Sequence, residues 1–184
     1  MRQVSWSVAA VIMLGATSPA GAALKVGYRV KSLKVWDANN NPAWIPDIGK
    51  KVIAFFYTDP DVKDQNERFR EELKASKLDP KHVHSRGIGV VNMKDTWKPN
   101  FAIRSVVRSK IKKFKSLILT DKEHVVRDKW GLGDCNEKDV VIIIDVDRKV
   151  RYMKKTGAMS AAERKKVIAL FKQLIEEAKQ KAGK

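Results

Sequence analysis

The chain has 184 residues, with 38 basic against 21 acidic side chains, a formal charge of +17 and one cysteine. One cysteine excludes an intramolecular disulfide, so packing alone must hold the fold. The charge favours anionic partners such as acidic proteins, phospholipid headgroups or nucleic acid, and no low-complexity stretch divides the chain into two domains.

The first residues carry one charge, Arg2, then an apolar run from Val8 to Ala16, a break at Thr17-Ser18-Pro19 and the small residues Ala20-Gly21-Ala22. This is the pattern of a secretory signal peptide, with cleavage expected after Ala22 and Ala23 as the close alternative. An uncleaved anchor is the rival, but a bilayer span needs about 20 mostly apolar residues and Ser5, Ser7, Gly15 and Ser18-Pro19 interrupt this one. Residues 1–22 are therefore expected to be removed and 23–184 to form a single domain, with no transmembrane helix in the mature chain. Export makes nucleic acid an unexpected partner.

Residues 23–50 read as an N-terminal strand or hairpin extension, from the Leu33, Val35 alternation and the turn at Asn39-Asn40-Asn41-Pro42. The continuous apolar run Val52–Tyr57 suits a buried central strand. A helix should follow, with Asp61 as N-cap, Asp64 three residues on, and Val62, Phe69 and Leu73 as its apolar stripe; Asp79-Pro80 ends that unit. Ile88–Val91 reads as a second buried strand. After Lys98-Pro99-Asn100 comes a helix with Ile103, Val106, Val107, Ile111 and Phe114 on one face. Leu117–Leu119 is a short strand, Val125, Val126 and Trp130 mark a short helix stopped by Gly131, and Val140–Ile144 is the strongest strand. Asp145-Val146-Asp147-Arg148 turns it into Val150-Arg151-Tyr152 as a hairpin. Ser160 and Glu163 form a capping box opening a last helix with Val167, Leu170, Phe171, Leu174 and Ile175 at helical spacing. This order calls for an α/β fold of three layers, a mixed central sheet with helices on both faces.

The segments Ser116–Asp121, Trp130-Gly131-Leu132 and Ile144–Val150 resemble the second half of a peroxiredoxin-type, thioredoxin-like domain. Phe101 with Arg104-Ser105, Trp130, the hairpin, and Gly157-Ala158-Met159-Ser160 leading into the last helix are similar to the YtfJ family of periplasmic proteins. The resemblance covers the C-terminal half at motif level and is topological before Lys98. It implies a thioredoxin-like fold and a periplasmic location. Thioredoxins and peroxiredoxins place a reactive cysteine just past the first central strand, where a helix N-terminus lowers the thiol pKa. Here that place reads Thr58-Asp59-Pro60-Asp61-Val62-Lys63, and Asp139 stands where those proteins carry a cis-proline. Dithiol exchange in the usual place is therefore excluded.

Cys135 lies in the loop Gly133-Asp134-Cys135-Asn136-Glu137, near the would-be active-site edge. Asp134 and Glu137 disfavour a thiolate and Lys138 partly offsets them, which favours an incidental surface thiol over a functional one. Asp59, Asp61 and Asp64 could be offered as a hard-cation site, but capping of the following helix accounts for them better. His82 and His84 alternate around Val83, and an extended chain would turn both imidazoles to one face; no third ligand sits at a recognised spacing, so no metal is expected. No cofactor is expected either, since no phosphate-cradling glycine loop and no serine, histidine and acid arrangement stands out.

From Thr96 to Thr120 the chain has Lys98, Arg104, Arg108, Lys110, Lys112, Lys113 and Lys115 and no acidic residue. Arg104, Arg108 and Lys112 recur at i, i+4 and i+8 and should line one helix face, with Lys113 beside them and Trp97, Phe101 and Phe114 able to add apolar contact. A solvated basic face on a generally basic protein explains the same residues. The favoured expectation is a periplasmic, non-enzymatic thioredoxin-fold module that binds an acidic protein or an anionic membrane surface through this helix. The alternatives are a redox protein acting through Cys135 alone, as a one-cysteine peroxidase or mixed-disulfide carrier, and a metal protein acting through His82 and His84.

Overall fold

The computed structural model describes residues 23–183. The expected signal peptide and its cleavage site at Ala22 lie outside them. The elements in chain order are β1 (Lys34–Trp36), β2 (Pro42–Trp44), β3 (Val52–Thr58), a 3-10 turn (Pro60–Val62), α1 (Glu67–Ala75), β4 (Ser85–Asn92), α2 (Asn100–Phe114), β5 (Ile118–Asp121), α3 (Val125–Trp130), β6 (Asp139–Ile144), β7 (Val150–Lys154) and α4 (Ala161–Ala182).

They build one seven-stranded sheet in the order β2-β1-β5-β4-β3-β6-β7. β3 runs parallel to β4 and antiparallel to β6, with Phe55 opposite both Ile88 and Ile142. A strand so placed is covered on both faces, which is why Val52–Tyr57 is apolar without alternation and wholly buried. The same holds for Val140–Ile144 in β6.

Alternate residues of these strands serve two cores. Ile53, Phe55 and Tyr57 of β3 face Val126 and Trp130 of α3, with Leu24 and Val30 of the N-terminal segment closing the same core. That segment is strapped across the sheet by backbone bonds from Leu24 to Gly131 and from Val30 to Arg148. On the opposite face Val52, Ala54 and Phe56 meet Phe69 of α1 and Val167, Phe171, Leu174 and Ile175 of α4. Burying a side chain such as Phe69 contributes about 2–3 kcal/mol. α2 lies on this second face, because Ile103 and Val107 pack with Val91 and Ile118, neighbours of the Val90 and Leu119 that point into the first core.

The expected hairpins and the Ser160 cap form. Asn40 takes the left-handed turn position between β1 and β2, and Asp145 accepts the amides of Asp147 and Lys149 in the β6–β7 turn. Ser160 accepts the Glu163 amide at 3.2 Å, opening α4. Pro42 begins the edge strand β2, a place where a missing N–H costs nothing. Among the described residues no helix is long and apolar enough to cross a membrane.

β4 begins at Ser85 and β5 runs on to Asp121, beyond the expected Ile88–Val91 and Leu117–Leu119, and the start of α1 differs most from expectation. Asp61 does not cap α1: Asp59 caps the 3-10 turn, its carboxylate accepting the Asp61 amide at 2.8 Å, and α1 begins only at Glu67. Asn66, at the N-cap position, makes no capping bond, because its amide group is spent on the Asp139 carbonyl (3.1 Å) and the Met159 amide (3.0 Å).

Candidate functional site: the carboxyl edge of the parallel strands and the face of α2

Parallel strands β3, β4 and β5 end at Thr58, Asn92 and Asp121, and ligands of open α/β sheets gather outside such carboxyl ends. In this chain the edge is filled by its own polar groups. Asp139 is fully buried; its carboxylate takes two contacts from the Arg70 guanidinium, at 2.6 and 2.8 Å, and the Thr58 hydroxyl at 2.5 Å. The guanidinium also lies 4.5 Å over the Phe56 ring. Thr58, which opens the stretch where the resemblance implies a nucleophilic cysteine, and Asp139, where it implies a proline, are thus joined in one ion-paired plug. Asp59 is buried beside it and accepts the Glu137 amide at 2.8 Å, tying the loop before β6 to the end of β3.

The three acids Asp59, Asp61 and Asp64 therefore do not converge. Asp59 holds backbone amides, Asp61 pairs with Lys98 and Asp64 with Lys63. Those two cations hold the carboxyls of Asp61 and Asp64 below the usual carboxylate range.

A second constellation lies further along the edge. Asp121 caps α3 through the amides of Val125 (2.9 Å) and Val126 (2.8 Å) and accepts the Tyr57 hydroxyl at 3.1 Å. Burial, together with the Asp121 charge, pushes the Tyr57 phenol far up, so it stays protonated. Asp95 joins the Asn92 amide (2.6 Å) and His124 Nε2 (2.7 Å), with Arg127 at 4.0 Å. The Tyr57–Asp121 and Asp95–His124 links carry no local sequence signal, since each joins residues far apart in the chain.

His124 is thus at the opposite edge of the sheet from His82 and His84, which precede β4. The expected extended geometry at that pair is not formed, because His82 has φ +52°. Asp79, the nearest acid in sequence, is already committed. Burial pushes its carboxyl up, but the amides of His84, Ser85 and Val83 and the Ser85 hydroxyl outweigh this and hold it below its ordinary value. Among the described residues no three metal-ligating side chains come together.

Cys135 is where the loop expectation fails: it is fully buried rather than on the surface. The left-handed glycines Gly131 and Gly133 fold the loop back, and the thiol packs into the core that contains Tyr57, Trp130 and Leu132, its Sγ 3.5 Å from the Gly133 carbonyl. Burial pushes the thiol up to about 11, against the weaker downward pull of Lys155 and Lys138. A buried, protonated sulfur is a poor nucleophile.

α2 is the element that turns chemistry outward. Ile103 and Val107 face the core, while Phe101, Ser105, Arg108 and Lys112 follow one another along the solvent side at helical spacing, with Lys113 adjacent and Arg104 on the flank. Arg70, Arg151 and Arg164 find carboxylates, whereas among the described residues Arg104, Arg108, Lys112 and Lys113 are in no ion pair. Arg108 donates one bond inward, to the Ala38 carbonyl at 3.0 Å, so it also anchors the β1–β2 turn. Of the large apolar residues, Val106 and Phe114 join Trp97 and Phe101 in exposure rather than the buried stripe expected of them, because the core-facing arc of α2 is only wide enough for Ile103, Val107 and Ile111. Two cavities lie elsewhere: one of about 360 Å³ between Asn66 and Met159, and one of about 560 Å³ between Tyr152 of β7 and Leu170 of α4.

The fold is shared with a peroxiredoxin-like protein from Aquifex aeolicus (TM-score 0.59, 17% identity, 84% of this chain and 90% of that one). It is shared also with AhpC from Mycobacterium tuberculosis (TM-score 0.56, 13% identity, 83% and 99%). A third likeness is to the pneumococcal exposed lipoprotein thioredoxin from Streptococcus pneumoniae (TM-score 0.55, 12% identity, 76% and 99%). At such identities these likenesses establish the thioredoxin-like, peroxiredoxin-type fold. Among curated proteins none matches the sequence. A family model described as a bacterial protein of unknown function, YtfJ_HI0045, matches residues 35–174, and the chain belongs to that family.

Proposed function

We propose that this protein is an exported thioredoxin-fold binding module that meets an anionic partner through the outward face of α2 and performs no thiol chemistry. The observation that carries the proposal is the row Phe101, Ser105, Arg108 and Lys112, with Lys113 adjacent, cationic along the helix and without carboxylate partners among the described residues. The plug of Asp139, Arg70 and Thr58 in the usual redox position supports it, as does the burial of Cys135, which weighs against the one-cysteine alternative. Export, to the periplasm, is supported by the signal-peptide pattern of residues 1–22. The test is binding of the purified protein to poly-L-glutamate at rising ionic strength. Affinity should fall steeply with salt, since contacts between exposed charges are screened over about 10 Å at 0.1 M. It should fall by about tenfold or more in Arg104→Gln/Arg108→Gln/Lys112→Gln. Salt-independent binding, or no loss in a folded triple variant, would refute the role of α2.

A further inference from the structure

We propose that the anionic partner of α2 is a phospholipid bilayer surface, with Trp97 and Phe101 seated at the lipid interface and Arg108, Lys112 and Lys113 on the headgroups, an inference that rests on the binding role proposed above.

Trp97 is 82% exposed and Phe101 71%. Trp97 lies in the loop that enters α2 and Phe101 in its first turn, and Phe101 heads the same outward row as Arg108 and Lys112, two and three turns further on. Aromatic side chains at one end of a basic helix face match the interface of an anionic membrane, where rings settle at headgroup level and each nearby cation adds attraction. Lys98, the neighbour of Trp97, is anchored, and its ammonium lies 5.7 Å from the centre of the Trp97 ring. The Lys98 ammonium bonds the Pro60 carbonyl at 3.4 Å and pairs with Asp61, and the Lys98 amide bonds the Thr96 hydroxyl at 3.2 Å.

Two further observations favour a bilayer over an acidic polypeptide. The outward row of α2 is a single helix face, Phe101, Ser105, Arg108 and Lys112, all exposed, and neither of the two cavities described above includes an α2 residue in its lining. Of the acids tied to this loop, Asp61 is paired with Lys98, and Asp95, two residues before Trp97, is engaged by His124 and Asn92.

The experiment is co-sedimentation of the purified protein, its N-terminal residue fixed by mass spectrometry, with vesicles of phosphatidylglycerol and phosphatidylcholine, and with phosphatidylcholine alone, beside poly-L-glutamate binding. The expected result is binding to the anionic vesicles only, reversed by about 0.5 M NaCl. Trp97→Ala/Phe101→Ala should weaken vesicle binding by about tenfold or more while leaving poly-L-glutamate binding unchanged. Binding to poly-L-glutamate but not to vesicles would overturn the lipid inference and leave the α2 role standing, with an acidic protein as its object. Binding to neither would overturn both. Vesicle binding indifferent to the loss of both aromatics would overturn the interfacial seating.

Discussion

At the scale of single residues, the carboxylate of Asp139 stands where the resemblance implies a proline. It has no exposure of its own, and Arg70, with a quarter of its side chain in water, is its counter-charge. Arg70→Met would leave a buried charge with only the Thr58 hydroxyl, and breaking such a pair from one side typically costs about 3–5 kcal/mol. We expect a loss of about 3 kcal/mol by urea unfolding; a loss below about 1 kcal/mol would mean that water reaches the carboxylate. Cys135 makes the complementary prediction. Its folded thiol keeps the proton up to about 11, whereas the unfolded thiol releases it near 8.5. Its contribution is therefore whole below about pH 8.5 and is lost as pH climbs towards 11, because only the unfolded chain has shed the proton in that window. The fall in stability between pH 8 and 10.5 should be smaller in Cys135→Ala than in the wild type, the comparison cancelling the lysines that titrate alongside. Alkylation of the native thiol at pH 8 should be about a hundredfold slower than in denaturant; a rate near that of the unfolded chain would restore the thiol as a candidate site.

At the scale of elements, α2 is built with two local costs. Arg104, Arg108 and Lys112 stand at like-charge i, i+4 spacing, which disfavours a helix by a few tenths of a kcal/mol per pair. Its C-cap, Lys115, adopts φ +52°, a left-handed conformation that side chains resist and glycine accepts. Lys115→Gly should raise the thermal midpoint, with a gain of about 0.5–1 kcal/mol, because the amide that caps the Ile111 carbonyl stays in place. A drop in stability would show that the lysine side chain holds the cap by some other contact. Neither cost is needed for packing, which Ile103 and Val107 supply from the other side of the helix. α1 teaches the opposite lesson about local signals. Asp61 and Asp64 looked like a helix start, yet Asn66 and Gln65 are drawn to Asp139, one through its carbonyl and one through its amide, and the helix cannot begin until Glu67. The signal in the sequence was genuine, but distant partners outbid it.

At the scale of the whole molecule, a formal charge of +17 sets a self-repulsion that the ion pairs along the surface only partly answer. The melting temperature should therefore rise as NaCl goes from about 10 mM to about 150 mM, since the longer-range repulsions are screened first. A fall over that range would mean that the attractive pairs outweigh the net charge. Much of this molecule was legible before its structure. The apolar runs of β3 and β6, the asparagine turn, the glycine stop at Gly131 and the Ser160 cap are local statements, written in neighbouring residues, and they suffice for the element order and the layered sheet. The absence of a thiol after β3 is equally local. What only the tertiary structure decided joins residues far apart in the chain: Arg70 meets Asp139 across 69 positions, Asp95 meets His124, and Cys135 turns from the surface into the core. Whether a charge or a thiol ends in water or in the interior depends on which segments close over it, and that closure is set by the packing of the whole sheet and its helices rather than by any stretch of sequence.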